Sequence, residues 1–179
     1  TVHNHSTSVQ ELFMRQFRGN FFNISPAQLY AEYLANHEVF LHPEHQKGFV
    51  LCAPDKGAKH LASEVYTYLD AHAKHMLLPM QPSLLLMDKE RSGERKVVIK
   101  AHQDSPTRLE DISGREVVVF DDMVRTGNTI VECCRSLKEA GASRVIFVVT
   151  HFYSSPEVKE NLNDTAIDDI ITTNTLPSI

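Results

Sequence analysis

At 179 residues, 42% hydrophobic and 23% charged, the chain has the length and composition of one compact globular domain with a full hydrophobic core. Its formal net charge of −5 argues against nucleic acid or an anionic membrane surface as the main partner. No apolar run approaches the ~20 residues that a bilayer span requires, and Thr1-Val2-His3-Asn4-His5 has neither a signal peptide's regions nor an initiator Met, so the chain reads as beginning inside a longer one.

In chain order, Val9–Phe17 and Pro26–Asn36 read as helices. His37, His42 and His45 follow. No HExxH-type frame surrounds them, so they read as surface histidines in a loop. From residue 48 strand and helix alternate, which predicts an α/β fold with a parallel sheet flanked by helices. Gly48–Ala53 is an apolar strand and Pro54-Asp55-Lys56-Gly57 a turn. Ala58–His72 carries Leu61, Val65, Tyr68 and Leu69 at helical spacing. Ser83–Met87 is the next strand. Lys89–Asp104 has little apolar periodicity beyond Val97–Ile99 and reads as a loop or a hairpin excursion. Within Asp88–Lys100 five basic residues face three acidic ones, which suits either a local anion such as phosphate or a charged, solvated loop.

Glu116–Phe120 is a continuous apolar run, as a buried parallel strand requires, and is expected to end at Asp121-Asp122. Thr129–Ala140 is a helix with Ile130, Cys133, Cys134 and Leu137 on one face, stopped by Gly141. Arg144–Val149 is a strand, Ser155–Asn161 a short helix and Asp168–Thr172 a last strand. The three cysteines, Cys52, Cys133 and Cys134, lack metal-ligand spacing and read as reduced thiols of a cytoplasmic protein.

The segment with the most chemistry is Val117–Thr129, in which an apolar strand runs into two carboxylates, a Thr126-Gly127-Asn128-Thr129 loop and a helix. Ligands of open α/β sheets sit beyond the carboxyl ends of strands, and a helix amino terminus offers free N–H groups and a favourable dipole to phosphate. Gly127 lets the backbone approach closely, and the Thr126 and Thr129 hydroxyls can donate. Asp121 and Asp122 can accept hydrogen bonds from a polyhydroxyl such as ribose. Taken singly, the Thr could be a helix cap and the acids a solvated turn; the ordered combination points to a phosphosugar.

This segment resembles the ribose-phosphate loop shared by type I phosphoribosyltransferases and ribose-phosphate pyrophosphokinases. Asp88-Lys89-Glu90-Arg91 resembles the Lys-x-Arg of the pyrophosphokinases' catalytic loop, and Ala53-Pro54-Asp55-Lys56-Gly57-Ala58 their pyrophosphate loop. Phe21-Phe22-Asn23-Ile24 with Leu29-Tyr30-Ala31-Glu32 is similar to their entry into the second half. Thr150-His151 and Thr173-Asn174-Thr175-Leu176-Pro177 are similar to their carboxyl-terminal strand ends. Val2-His3-Asn4-His5-Ser6 resembles the motif around a metal-binding His, with His3 as counterpart.

The resemblance implies a single phosphoribosyltransferase-like domain over 1–179, with an amino-terminal junction and helices at 1–36 and the α/β core at 48–179; the family's amino-terminal half is absent. It implies transfer of diphosphate from ATP to ribose 5-phosphate, with Lys89 and Arg91 catalytic. Asp121, Asp122, Arg125, Thr126, Gly127, Asn128 and Thr129 would hold ribose 5-phosphate, and Asp55, Lys56, Gly57 and Ala58 would form the pyrophosphate loop. His3 and Asp55 would bind Mg²⁺, and the protein would be a cytoplasmic homo-oligomer. Two departures stand out: related loops often carry Asp or Ser and then Thr-Gly-Gly-Thr where this chain has Arg125 and Asn128, and Phe152 replaces a Gly. The alternatives are a type I phosphoribosyltransferase that consumes phosphoribosyl pyrophosphate and a non-catalytic regulatory homologue.

Overall fold

The computed structural model describes residues 1–4, 6–17, 20–36, 48–76, 81–92, 96–153 and 155–176; His5, the His37–His45 histidines and Pro177 lie outside them. Two helices, α1 (Thr7–Gln16) and α2 (Ala27–Asn36), precede the sheet. Ser6 caps α1, its hydroxyl accepting from the Val9 N–H at 3.3 Å. The rest runs β1 (Phe49–Ala53), α3 (Lys59–His75), β2 (Ser83–Ser92), β3 (Lys96–Ala101), β4 (Glu116–Val124), α4 (Asn128–Glu139), β5 (Arg144–Phe152), α5 (Pro156–Leu162) and β6 (Asp169–Thr172). A short 3₁₀ turn at Leu109–Ile112, which the periodicity did not reveal, leads into β4.

The six strands are ordered β3-β2-β1-β4-β5-β6, and all pairs are parallel except β2–β3. The continuous apolar runs follow from burial on both faces. Alternate residues of one strand enter different cores. Val117 and Val119 of β4 join Val50, Cys52, Val145 and Phe147 beneath α4 and α5, while Val118 and Phe120 join Leu51, Ile146 and Val148 beneath α2 and α3. The expected α/β architecture is therefore present.

Three strands, β2, β4 and β5, run further than their apolar stretches. Met87–Ser92 of β2 continues past the last β1 pair, Ala53–Leu86, and pairs with β3 instead, in register from Met87–Ala101 to Ser92–Lys96. The charged residues 88–92 and 96–100 thus pair as an antiparallel ladder, which at ~3.3 Å per residue extends ~20 Å beyond the parallel part. β4 does not stop at Asp121-Asp122. It continues to Val124, because β5 continues too and pairs Met123 with His151 and Val124 with Phe152. Both acids are strand residues.

Helix α4 ends as its Gly suggests. The Gly141 N–H bonds the Lys138 carbonyl and the Ala142 N–H the Leu137 carbonyl, with Gly141 in the left-handed region at φ 90°. A Cβ on Gly141 would meet Ser113 Oγ at 2.9 Å. Gly141→Ala should therefore cost about 1–3 kcal/mol, read as a lower urea midpoint at unchanged slope; a wild-type midpoint would refute this account of the helix stop.

Candidate functional site

Strand order places the site. The crossover from β1 leads through α3 to β2 on one side, and that from β4 through α4 to β5 on the other. The two connections therefore leave the β1–β4 gap on opposite faces and open a crevice beyond the carboxyl ends of these strands, where doubly wound sheets bind ligands. The turn after β1 brings Asp55, and the end of β4 brings Asp121 and Asp122.

Strand pleating then divides the acids. Asp121 continues the Val117–Val119 face towards α4, and Asp122 the Val118–Phe120 face towards α3. Asp121 lines a cavity of about 330 Å³ together with Asp55, Arg125, Thr126, Gly127 and Thr129. Asp122 lines a second cavity of about 480 Å³ with His3, Gly57 and Ala58. The Asp122 N–H donates to Asp121 Oδ1 at 2.8 Å. Burial, then the charge of Asp122, and also that of Asp55, push the Asp121 carboxyl up to about 8.

The β4–α4 loop forms a cradle on the wall of the first cavity. Gly127 is the N-cap of α4 at φ 84°, in the left-handed region, and a Cβ there would lie 3.1 Å from Leu162 Cδ2 of α5. The positive φ favours glycine, and a side chain there would also press on Leu162. Asn161 of α5 donates its side-chain amide to the Thr126 carbonyl at 2.7 Å and to Asn128 Oδ1 at 3.3 Å. Arg125 is exposed on the cavity wall and makes no ion pair among the described residues; it does not pair with Asp121 or Asp122. Phe152 at the end of β5 packs against the core under α4.

The other sequence-predicted residues lie on the turn after β1, on the β2–β3 ladder and at the end of β5. Asp55 Oδ1 accepts from the Gly57 and Ala58 N–H groups at 2.8 and 3.2 Å, shaping its turn. Lys56 Nζ lies 3.8 Å from Asp88, and His102 Nε2 lies 3.5 Å from the same carboxylate, so the turn is tied to the base of the ladder. Lys89 and Arg91 stand in that ladder, their backbones paired with Ile99 and Val97. His3 Nδ1 is 2.7 Å from Thr150 Oγ1, which the buried Tyr30 hydroxyl also meets at 3.0 Å. The Thr173 and Thr175 hydroxyls donate to the Thr150 carbonyl at 2.6 and 2.8 Å, gathering the Thr150-His151 and Thr173–Thr175 segments at one strand end.

His3 and Asp55 line different cavities. No three His, Cys, Asp or Glu side chains among the described residues form a metal cluster. The donors are hard carboxylates whose mutual repulsion a cation would relieve, which fits Mg²⁺ held by one or two acids, water and substrate oxygens. Asn161 and Leu162 carry no motif, and only tertiary contact reveals them; the members of the Thr150 hub lie in segments the resemblance marked, and the fold shows how they bond to one another.

The profile of the phosphoribosyl transferase domain matches residues 28–177. The chain is 33% identical over 156 residues to a ribose-phosphate pyrophosphokinase of Methanopyrus kandleri, covering 87% of this chain and 46% of that protein. It is 28% identical over 177 residues to the Pyrococcus abyssi protein of the same name, covering 99% and 51%. Among solved structures, a phosphoribosylpyrophosphate synthetase from Mycobacterium smegmatis superposes with a TM-score of 0.68 at 25% identity, covering 98% of this chain and 48% of that one. The chain thus spans about half the length of the curated relatives it matches.

The raised Asp121 carboxyl has a consequence for stability. Between the ordinary carboxyl value of 3.8 and about 8 the folded chain holds a proton that the unfolded chain has lost. This contribution is full below ~4 and is lost as pH rises towards 8. Asp121→Asn, which cannot ionise, should gain at least ~3 °C in Tm over wild type on moving from ~pH 5 to ~pH 8 in metal-free buffer, the scale of ~1 kcal/mol at this length. Parallel Tm–pH profiles for the two proteins would show that Asp121 ionises normally.

Proposed function

The chain belongs to the phosphoribosyl transferase domain family, and from that premise we propose that it is the carboxyl-terminal catalytic half of a ribose-phosphate pyrophosphokinase. The observation that carries this reading is the cavity at the β1–β4 gap, where the β4–α4 phosphate cradle opens beside Asp121 and Asp55. In this reading ribose 5-phosphate lies with its phosphate at Thr126–Thr129 and its hydroxyls towards Asp121 and Asp122. ATP enters on the side of the second cavity, past the Asp55–Ala58 turn. The 1-hydroxyl oxygen of the ribose bonds to the β-phosphorus of ATP, the bond from that phosphorus to the α-phosphate oxygen breaks, and AMP leaves.

Such a transfer needs little covalent help and depends on positioning and charge. Lys89 and Arg91 supply positive charge to the phosphoryl oxygens, Lys as a point charge and Arg as a planar fork. Asp55 from the first cavity and His3 from the second would each offer a ligand to Mg²⁺ beside water and substrate oxygens, and the ion would neutralise phosphate charge. The ladder base, tied to the Asp55–Ala58 turn through Lys56 and Asp88, links Lys89 and Arg91 to the pyrophosphate loop. A phosphoribosyltransferase would share the sugar-phosphate cradle; Lys89-x-Arg91 and the names of the relatives favour the pyrophosphokinase. The same reading makes the protein cytoplasmic and homo-oligomeric.

Three measurements test this. The chain should bind ribose 5-phosphate, and the full-length protein should convert it with ATP and Mg²⁺ to AMP and phosphoribosyl pyrophosphate; release of ADP or inorganic phosphate instead would overturn the reaction class. In that protein Lys89→Ala should lower kcat by ~10²-fold or more while ribose 5-phosphate affinity barely moves, and wild-type turnover would remove Lys89 from catalysis. Arg125→Ser should weaken ribose 5-phosphate binding by about tenfold, the scale of one charge-assisted phosphate contact. Unchanged affinity by calorimetry at fixed salt would leave Arg125 facing solvent.

A further inference from the structure

The β4–α4 loop carries Asn128 between Gly127 and Thr129, and the structure pairs this side chain with a residue outside the motif. Asn161 lies on α5. Both hydrogens of its amide are used, one on the Thr126 carbonyl and one on Asn128 Oδ1. It is the one side chain beyond the loop and α4 that hydrogen-bonds residues 125–128 among the described residues. α5 is itself held firmly: Ser155 caps it, Val158 and Leu162 are buried, and Asp164 just beyond it meets Arg135 of α4 at 2.7 Å.

The consequence lies in the peptide plane between Thr126 and Gly127. All peptide bonds in the described structure are trans, so a carbonyl and the N–H of the same peptide point in opposite directions. Fixing the Thr126 carbonyl on α5 therefore aims the Gly127 N–H away from α5, and Gly127 lines the cavity to which neither Asn161 nor Leu162 contributes. Glycine tolerates either sign of φ, so without this bond the plane could flip and present a carbonyl oxygen to an anion.

We propose that Asn161 is a positioning residue that sets the polarity of the phosphate cradle by locking the Thr126–Gly127 peptide. This rests on the reading of the cavity as a sugar-phosphate site. The lock acts on the ligand's phosphate and leaves the ribose acids untouched.

The test uses the full chain, inorganic phosphate and ribose 5-phosphate, with calorimetry at fixed salt and the Gly127 amide resonance as readouts. Asn161→Ala removes the lock, and Asn161→Asp keeps the shape but cannot donate to a carbonyl. Both should keep Tm within a few degrees, weaken phosphate and ribose 5-phosphate binding by about tenfold or more, Asp more than Ala, and lose the phosphate-induced shift of the Gly127 amide. Wild-type affinity in both variants, or a persisting Gly127 shift in Asn161→Asp, would overturn the proposal, as would a wild-type Gly127 amide that ignores phosphate. If the wild type binds phosphate but ribose 5-phosphate no more tightly, the proposed function falls, and the phosphate arm alone still decides the role of Asn161.

Discussion

Everything at the site depends on the gap between β1 and β4. Because the crossovers that follow these neighbouring strands turn to opposite faces, no helix covers their carboxyl ends. The loops that emerge there are free of the requirement to pack, and can carry Asp55 on one strand and the glycine-hinged cradle on the other. A sheet ordered simply by sequence would have roofed this position with a helix.

The period-two geometry of β4 adds a second constraint. A carboxylate pair at the end of a strand can sit together in one pocket only if the strand has already broken its pleat. Here β5 keeps β4 regular through Val124, so the two acids serve as the wall between two cavities, one facing each layer of helices. Burial first, and the charge of Asp122 across that wall second, make Asp121 give up its proton reluctantly.

Much of this was legible in the sequence. The apolar runs at 48–53, 83–87, 116–120 and 144–149 marked the buried strands, and Gly141 marked the end of α4, because burial and backbone strain act residue by residue. The extension of β2 was one of two open readings, a loop or a hairpin excursion, and those of β4 and β5 were not legible. Polar residues such as Asp88, Asp121 and His151 enter strands there because a neighbouring strand offers hydrogen bonds, which apolar periodicity does not report. The cradle's own residues could be read as an ordered motif. Its support could not: Asn161 stands 33 positions after Asn128, and an amide on a short helix is unremarkable until the fold brings it within 3.3 Å. The Thr150 hub joins residues 3, 30, 150, 173 and 175, all within segments the resemblance marked, but the hydrogen bonds that connect them appear only in the fold.

The three cysteines follow from the same two-sided burial. Cys52, Cys133 and Cys134 are all fully enclosed, and burial raises the Cys134 thiol well above its usual range, while for Cys133 the contact with Cys52 and burial act together. A thiol held neutral and out of reach reacts with an alkylating reagent only when the surrounding structure opens. Cys52 lies directly under the β1–β4 gap and Cys133 on the helix that begins at the cradle. Their alkylation rates thus form an internal clock for how often the floor of the site comes apart, readable by mass without any engineered probe.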